Sequence, residues 1–144
     1  NLGPEPLEKK FNFSYSKQYI INKNRTIKDI LMDQKFISGL GNIYVNETLF
    51  FSGIKPTKKV KNLSEGEIRK IIKFIKRILS KAIALGGSSI KNFSSDNGKK
   101  GLFQQYFCVY GKKGEKCSKK SCGSNIIKIV ISNRATFYCD KCQK

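Results

Sequence analysis

Four cysteines near the C-terminus, Cys117, Cys122, Cys139 and Cys142, fall into two close pairs, with four residues inside the first, sixteen between the pairs and two inside the second. Thiols at such spacings can place four thiolates round one tetrahedral zinc ion, each pair on its own turn. Between the pairs lie a strand-like run, Ile126 to Ile131, then Asn133-Arg134 and a second short run, Thr136 to Tyr138. This pattern predicts a β-hairpin closed by the metal, with Arg134 exposed at its tip. The same cysteines could instead form disulfides, in any of three pairings. No apolar export segment accompanies them, although a processed or excised chain would have lost one. Zinc is the expectation, because so small a hairpin has few apolar residues and needs metal-binding energy to fold. Cys108, within Phe107-Cys108-Val109-Tyr110, reads as a packed thiol outside the metal shell.

The elements that must carry this hairpin are mostly helical. Residues 1 to 10 hold Gly3, Pro4 and Pro6 with little periodicity and read as a linker. A weakly amphipathic helix is predicted over 11 to 23, and Thr26 is placed to cap a second from Ile27 to about Ser38. Gly39-Leu40-Gly41-Asn42 interrupts that pattern, and a third helix follows from Ile43 to about Phe51, closed by Gly53. Ser64 and Glu67 have the spacing of a capping box. Behind them Ile68, Ile71, Ile72, Ile75, Ile78, Leu79, Ala82 and Ile83 form one apolar stripe. The opposite face carries Arg69, Lys70, Lys73, Lys76, Arg77 and Lys81, which suits either solvent or a polyanion. A glycine- and serine-rich loop covers 88 to 101, and Leu102 to Tyr110 leads into the cysteine module. The layout is a linker and leading helix (1–25), a helical domain (26–110) and a zinc hairpin (111–144): a mainly α fold followed by a small zinc-bound β-hairpin finger.

Charge narrows the partner. Lysine and arginine number 29 against 10 acidic residues, a formal net charge of +19. That imbalance favours a polyanion, since each neutralised phosphate releases counterions. Histidine is absent, so no imidazole enters any mechanism or metal site. No run of eighteen apolar residues is present to span a bilayer. The Gly39–Asn42 turn puts backbone N–H groups at the start of a helix, where an anion is favoured; Asn42 could cap that helix or donate to a phosphate.

Taken together, these stretches resemble the C-terminal half of the formamidopyrimidine-DNA glycosylase family, which includes the endonuclease VIII-like enzymes. The likeness rests on Leu31-Met32-Asp33-Gln34-Lys35, Gly39-Leu40-Gly41-Asn42-Ile43-Tyr44, Glu47, Phe50, Gly86 to Lys91, Gly98 to Gln105, Val109-Tyr110-Gly111 and Cys139 to Gln143. Leu2 to Leu7 matches the segment entering this half. The resemblance implies a helix-two-turns-helix module around Gly39–Asn42. It implies phosphate contacts from Asn42, Gly41, Arg134 and Tyr110, with Lys35 near the DNA and Lys91 in the loop bordering the flipped lesion. Two departures stand out: family members more often have two residues inside the first cysteine pair, and Ala135 replaces a glycine.

The family's chemistry uses an N-terminal proline amine that attacks the sugar C1′, aided by an adjacent glutamate. Pro4-Glu5 repeats the pair in name only, because Pro4 is internal and its nitrogen is an amide. No catalytic residue is therefore expected here. The resemblance implies that the parent is a DNA glycosylase and abasic-site lyase of base excision repair, acting in the bacterial cytoplasm at the nucleoid. These residues would be its DNA-gripping portion, a monomer holding one zinc ion and double-stranded DNA with oxidised purines or abasic sites. The competing class is a zinc-stabilised RNA-binding or ribosomal module.

Overall fold

The computed structural model describes residues 1–85 and 107–144. Within them α1 spans Phe13–Ile20, α2 Ile27–Leu31, α3 Asn42–Ser52 and α4 Glu65–Ala84, with a 3₁₀ turn at Val60–Asn62. Strands β1 (Ile127–Ile131) and β2 (Arg134–Tyr138) pair antiparallel.

The longest helix follows from its own sequence. Ser64 Oγ accepts from the Glu67 N–H at 3.1 Å and Glu67 Oε1 accepts from the Ser64 N–H at 2.9 Å, closing the expected capping box of α4. Ile68, Ile71, Ile72, Ile75 and Ala82 are buried, with Ile78 and Leu79 at the margin. Ile83, expected in the same stripe, is 51% exposed. Eight residues beyond Ile75, it lies about 80° round the helix, at the edge of the apolar face.

Two predicted helices come out shorter. The first is confined to Phe13–Ile20, because the Asn12 side chain accepts from the Tyr15 N–H and Asn22 adopts a φ of 67°. The second does begin at the Thr26 cap but ends at Leu31 instead of continuing to Ser38. Beyond it, side chains take over the backbone donors: Asp33 Oδ1 accepts from Lys35 N–H and Gln34 Oε1 from Gly39 N–H, both at 2.9 Å. Turns therefore fill the space between α2 and α3. The opening segment lies against them, with Gly3 N–H donating to Gln34 O and Ser38 N–H to Pro4 O, each at 2.9 Å. A Cβ on Gly3 would stand 2.4 Å from the Phe36 carbonyl oxygen, so only glycine fits.

Helix α3 agrees with expectation to within a residue at each end. Gly53 closes it at φ 73°, with Ile54 N–H reaching back to Leu49 O at 3.0 Å. Nearly all of α3 is buried, including Asn46, Glu47 and Thr48. Glu47 accepts three backbone N–H groups: Cys108 at 2.6 Å, and Val109 and Tyr110 at 2.9 Å each. Burial pushes its carboxyl pKa up and these three donors oppose the rise. The carboxylate thus pins the chain where it re-enters from residue 107. One apolar cluster is drawn from α1 to α4; a second joins Phe50 of α3 to Val109, Ile126, Phe137 and the buried cysteines.

Replacing Glu47 by Gln keeps the shape but turns an acceptor into a donor facing backbone N–H groups. Urea unfolding of Glu47→Gln is expected to show a loss of about 1–3 kcal/mol. A change below about 0.5 kcal/mol would show that the three bonds do not hold this segment.

Candidate metal centre and nucleic-acid interface

The four sulfurs of Cys117, Cys122, Cys139 and Cys142 all lie within 4.8 Å of one another. Cys117 and Cys142 are 3.7 Å apart and Cys122 and Cys139 are 3.4 Å apart, far beyond a disulfide bond of about 2.05 Å. A tetrahedron with metal–sulfur bonds of about 2.3 Å has edges of about 3.8 Å, so the cluster has the dimensions of a zinc site. Its first turn is wider than usual, yet backbone N–H groups still meet the sulfurs. The Ser124 N–H, foremost, brings the Cys122 thiol down to about 7, whereas burial, followed by the neighbouring thiols, pushes Cys142 up to about 12. Four such thiols cannot all ionise side by side without a cation among them. Cys108 stands outside the cluster, packed against the second apolar core.

The hairpin turns on Ser132 and Asn133, whose φ values of 49° and 64° suit a two-residue connection. Arg134 is thus the first residue of β2, paired with Ile131, and its side chain is exposed. Two asparagines of α3 hold the strand in place. Asn42 Nδ2 donates to Ala135 O at 3.0 Å, and Asn46 Oδ1 accepts from Phe137 N–H at 2.6 Å. Gly41, not Asn42, is the N-cap of α3, so Asn42 is its first helical residue. The N-terminus of α3, the positive end of its dipole, is therefore tied to the strand residue next to Arg134. No atom lies within 4 Å of where a Cβ on Gly39 or Gly41 would stand, which leaves the approach clear.

Of the other sequence-predicted positions, Lys35 is exposed but sits in the turns after α2, not in a helix. Tyr110 is half-buried with its ring edge-on to Phe137 at 5.1 Å, on the face of β2 opposite to Arg134 and Thr136. Lys91 lies outside the described residues. The structure thus brings Gly41, Asn42 and Arg134 together and leaves Tyr110 on another face.

The formamidopyrimidine-DNA glycosylase H2TH domain matches residues 2–94, and the zinc finger found in FPG and IleRS matches 114–144. The chain belongs to the formamidopyrimidine-DNA glycosylase family. It is 45% identical over its whole length to the formamidopyrimidine-DNA glycosylase of Enterobacter sp. (strain 638), covering 53% of that protein, and 44% identical to that of Rickettsia bellii, covering 52%. Among solved structures, the Lactococcus lactis Fpg in complex with DNA containing an abasic site superposes with a TM-score of 0.87 at 41% identity. The match covers 99% of this chain and 52% of that one. The same Lactococcus lactis protein with FAPY-dG-containing DNA gives 0.85 at 40% identity, covering 99% and 51%. The chain spans about half the length of the relatives it matches. As a member of this family, with its four sulfurs gathered, it carries one structural zinc ion.

Sequence reasoning missed Lys28. It is 1% exposed, and its Nζ donates to Thr136 Oγ1 of β2 at 2.7 Å. Burial, and then the charge of Arg134, push its pKa down to about 8, with Asp29 opposing. Asp29 in turn accepts from Ser132 Oγ at 2.7 Å. No local signal marks these residues, because their partners lie more than a hundred positions further along the chain.

Two outcomes follow for this family member. Metal analysis is expected to return one zinc per chain, and chelation to abolish the hairpin's dispersed amide resonances; a zinc-free protein with paired disulfides would contradict the site. Between pH 8 and about 10 the unfolded lysine keeps the proton that folded Lys28 has lost, so the stability of the wild type should rise with pH across that window. Lys28→Met should remove this rise, so its stability advantage at pH 7 narrows towards pH 10. A wild-type-minus-variant difference flat from pH 7 to 10 would contradict the burial of a charged lysine.

Proposed function

We propose that these 144 residues are the DNA-gripping part of a glycosylase that removes oxidised purines, such as formamidopyrimidines and 8-oxoguanine, and cleaves the resulting abasic site. The observation that carries this reading is the Asn42–Ala135 hydrogen bond, which sets the open N-terminus of α3 beside the exposed Arg134. A helix N-terminus and a guanidinium with no ion pair among the described residues suit the phosphates flanking an everted nucleotide. Clamping them offsets the few kcal/mol that unstacking a base costs. Arg134 and the α3 terminus form the core of the clamp. Lys35 supplies a further phosphate contact, Tyr110 one from the opposite side of β2, and Lys91 borders the lesion.

The chemical step belongs to residues outside this chain. Pro4 N is an amide with no lone pair to offer a sugar carbon, and the Pro4 carbonyl is engaged by Ser38 N–H. The protein works as a monomer in the bacterial cytoplasm, on the DNA of the nucleoid. No helix among the described residues is long and apolar enough to cross a membrane.

Competition binding tests the reading: a duplex bearing an abasic-site analogue should outcompete both undamaged duplex and structured RNA. Arg134→Ala should weaken duplex binding without altering sequence preference, and should lower the slope of log K against log salt by about 0.9. With a duplex containing one oxidised guanine, borohydride should trap no covalent complex on these 144 residues. Preference for RNA, or an unchanged slope, would overturn the assignment.

A further inference from the structure

Helix α4 carries a second basic feature that the clamp does not use. Beyond Glu67 it has no acidic residue, and Arg69, Lys73 and Arg77 follow one another at four-residue intervals along one exposed side, about 12 Å from first to last. Like charges at this spacing repel, so the row is unfavourable for the helix by itself. Neither these three nor neighbouring Lys70 forms an ion pair with a carboxylate among the described residues. The nearby acids are already taken: Glu65 by Lys17 at 2.6 Å, Glu67 by Lys58 at 2.9 Å, and Glu8 by Lys10 at 3.8 Å.

The row is also built. The Arg69 guanidinium lies 3.8 Å from the centre of the Phe13 ring, and Lys73 and Arg77 stand over Phe74 at 5.6 and 5.5 Å. Beside it a shallow hollow of about 430 Å³ is bordered by Lys9, Arg69, Lys73 and Lys76 between the rings of Phe11 and Phe13. Lys76 is committed to the Pro6 and Glu8 carbonyls at 3.0 and 2.9 Å, and so holds the floor of the hollow instead of facing outward. No large apolar side chain is exposed between residues 69 and 77, so the strip has nothing to insert into lipid. Helix α3 packs on both α4 and β2, and Arg69, Lys73 and Arg77 lie on the exposed side of α4.

We propose that Arg69, Lys73 and Arg77, with Lys70 and Lys9, bind the phosphate backbone of a second DNA duplex while the clamp holds the first. The proposal rests on the clamp reading for the first duplex only. Regularly spaced cations with no ion-pair partner among the described residues match a regularly charged rod, and releasing its counterions supplies the affinity. Such a site would let the protein pass between DNA segments without full release.

The test immobilises a biotinylated duplex carrying a tetrahydrofuran abasic analogue, loads the protein, and adds a fluorescent undamaged duplex. The wild type should retain the second duplex. Arg69→Gln/Lys73→Gln/Arg77→Gln should retain at least ten-fold less, while its affinity for the first duplex changes less than two-fold. Its melting temperature should change little, since lost like-charge repulsion and lost contacts with the Phe13 and Phe74 rings oppose each other. If it fails to fold, Lys73→Gln alone should lower the salt slope of second-duplex capture by about 0.9. Equal retention by the variant, or none by the wild type, overturns the proposal, as does displacement of the second duplex by structured RNA or anionic vesicles at equal phosphate. Asn42→Ala/Arg134→Ala separates the two ideas in solution. If that variant keeps full affinity for the abasic duplex the clamp fails, whereas the strip fails separately if the triple variant captures the second duplex as well as the wild type does.

Discussion

A helix buried on nearly every side cannot send its polar side chains to water, and the amide and carboxylate side chains of α3 answer this constraint by binding the backbone of the module packed round it. Asn42 takes the Ala135 carbonyl, Asn46 the Phe137 N–H, and Glu47 three consecutive N–H groups from Cys108 to Tyr110. An unmade hydrogen bond at such depth costs far more than a made one contributes, so each bond fixes register more firmly than apolar contact alone. The far end of α3 is tied as well: Gln143 bridges the Ile54 carbonyl and the Cys139 N–H at 3.0 and 2.8 Å. The zinc knuckle is thereby positioned by the helical domain, and the metal holds its loops in the shape those bonds require.

What could be read from the sequence was what is encoded locally. The capping box of α4, the glycine closing α3 and the paired cysteines each specify geometry through neighbours a few residues away. The second helix was overestimated because its apolar pattern continues through Phe36 and Ile37, while Asp33 and Gln34 divert the backbone donors into turns. The site was only half legible. Arg134 stood out as a cation beside a hairpin turn, but the partner of Asn42 lies 93 positions away and no spacing rule reaches it. Lys28 was invisible for the same reason, as its burial is created by a strand at the other end of the chain.

Electrostatics explains why these pieces suit an anion. Lys28 lies buried beneath Thr136 and within the field of Arg134, while Asp29 is engaged by the hairpin hydroxyl of Ser132. The exposed end of this stack is a guanidinium next to the positive end of a helix, in a chain already strongly cationic. Binding to phosphate relieves a repulsion that folding itself creates. The strip on α4 repeats that logic without a metal, using aromatic rings in place of hydrogen bonds to hold its cations.

The central claim is that the α3 terminus and Arg134 act as one clamp because Asn42 ties them together. A double-mutant cycle measures this directly, with abasic-duplex affinity determined for Asn42→Ala, Arg134→Ala and the double variant at fixed salt. A coupling of at least about 0.5–1 kcal/mol is expected, since removing Asn42 also misplaces the arginine. Strict additivity within about 0.3 kcal/mol would show two independent contacts and contradict the shared clamp.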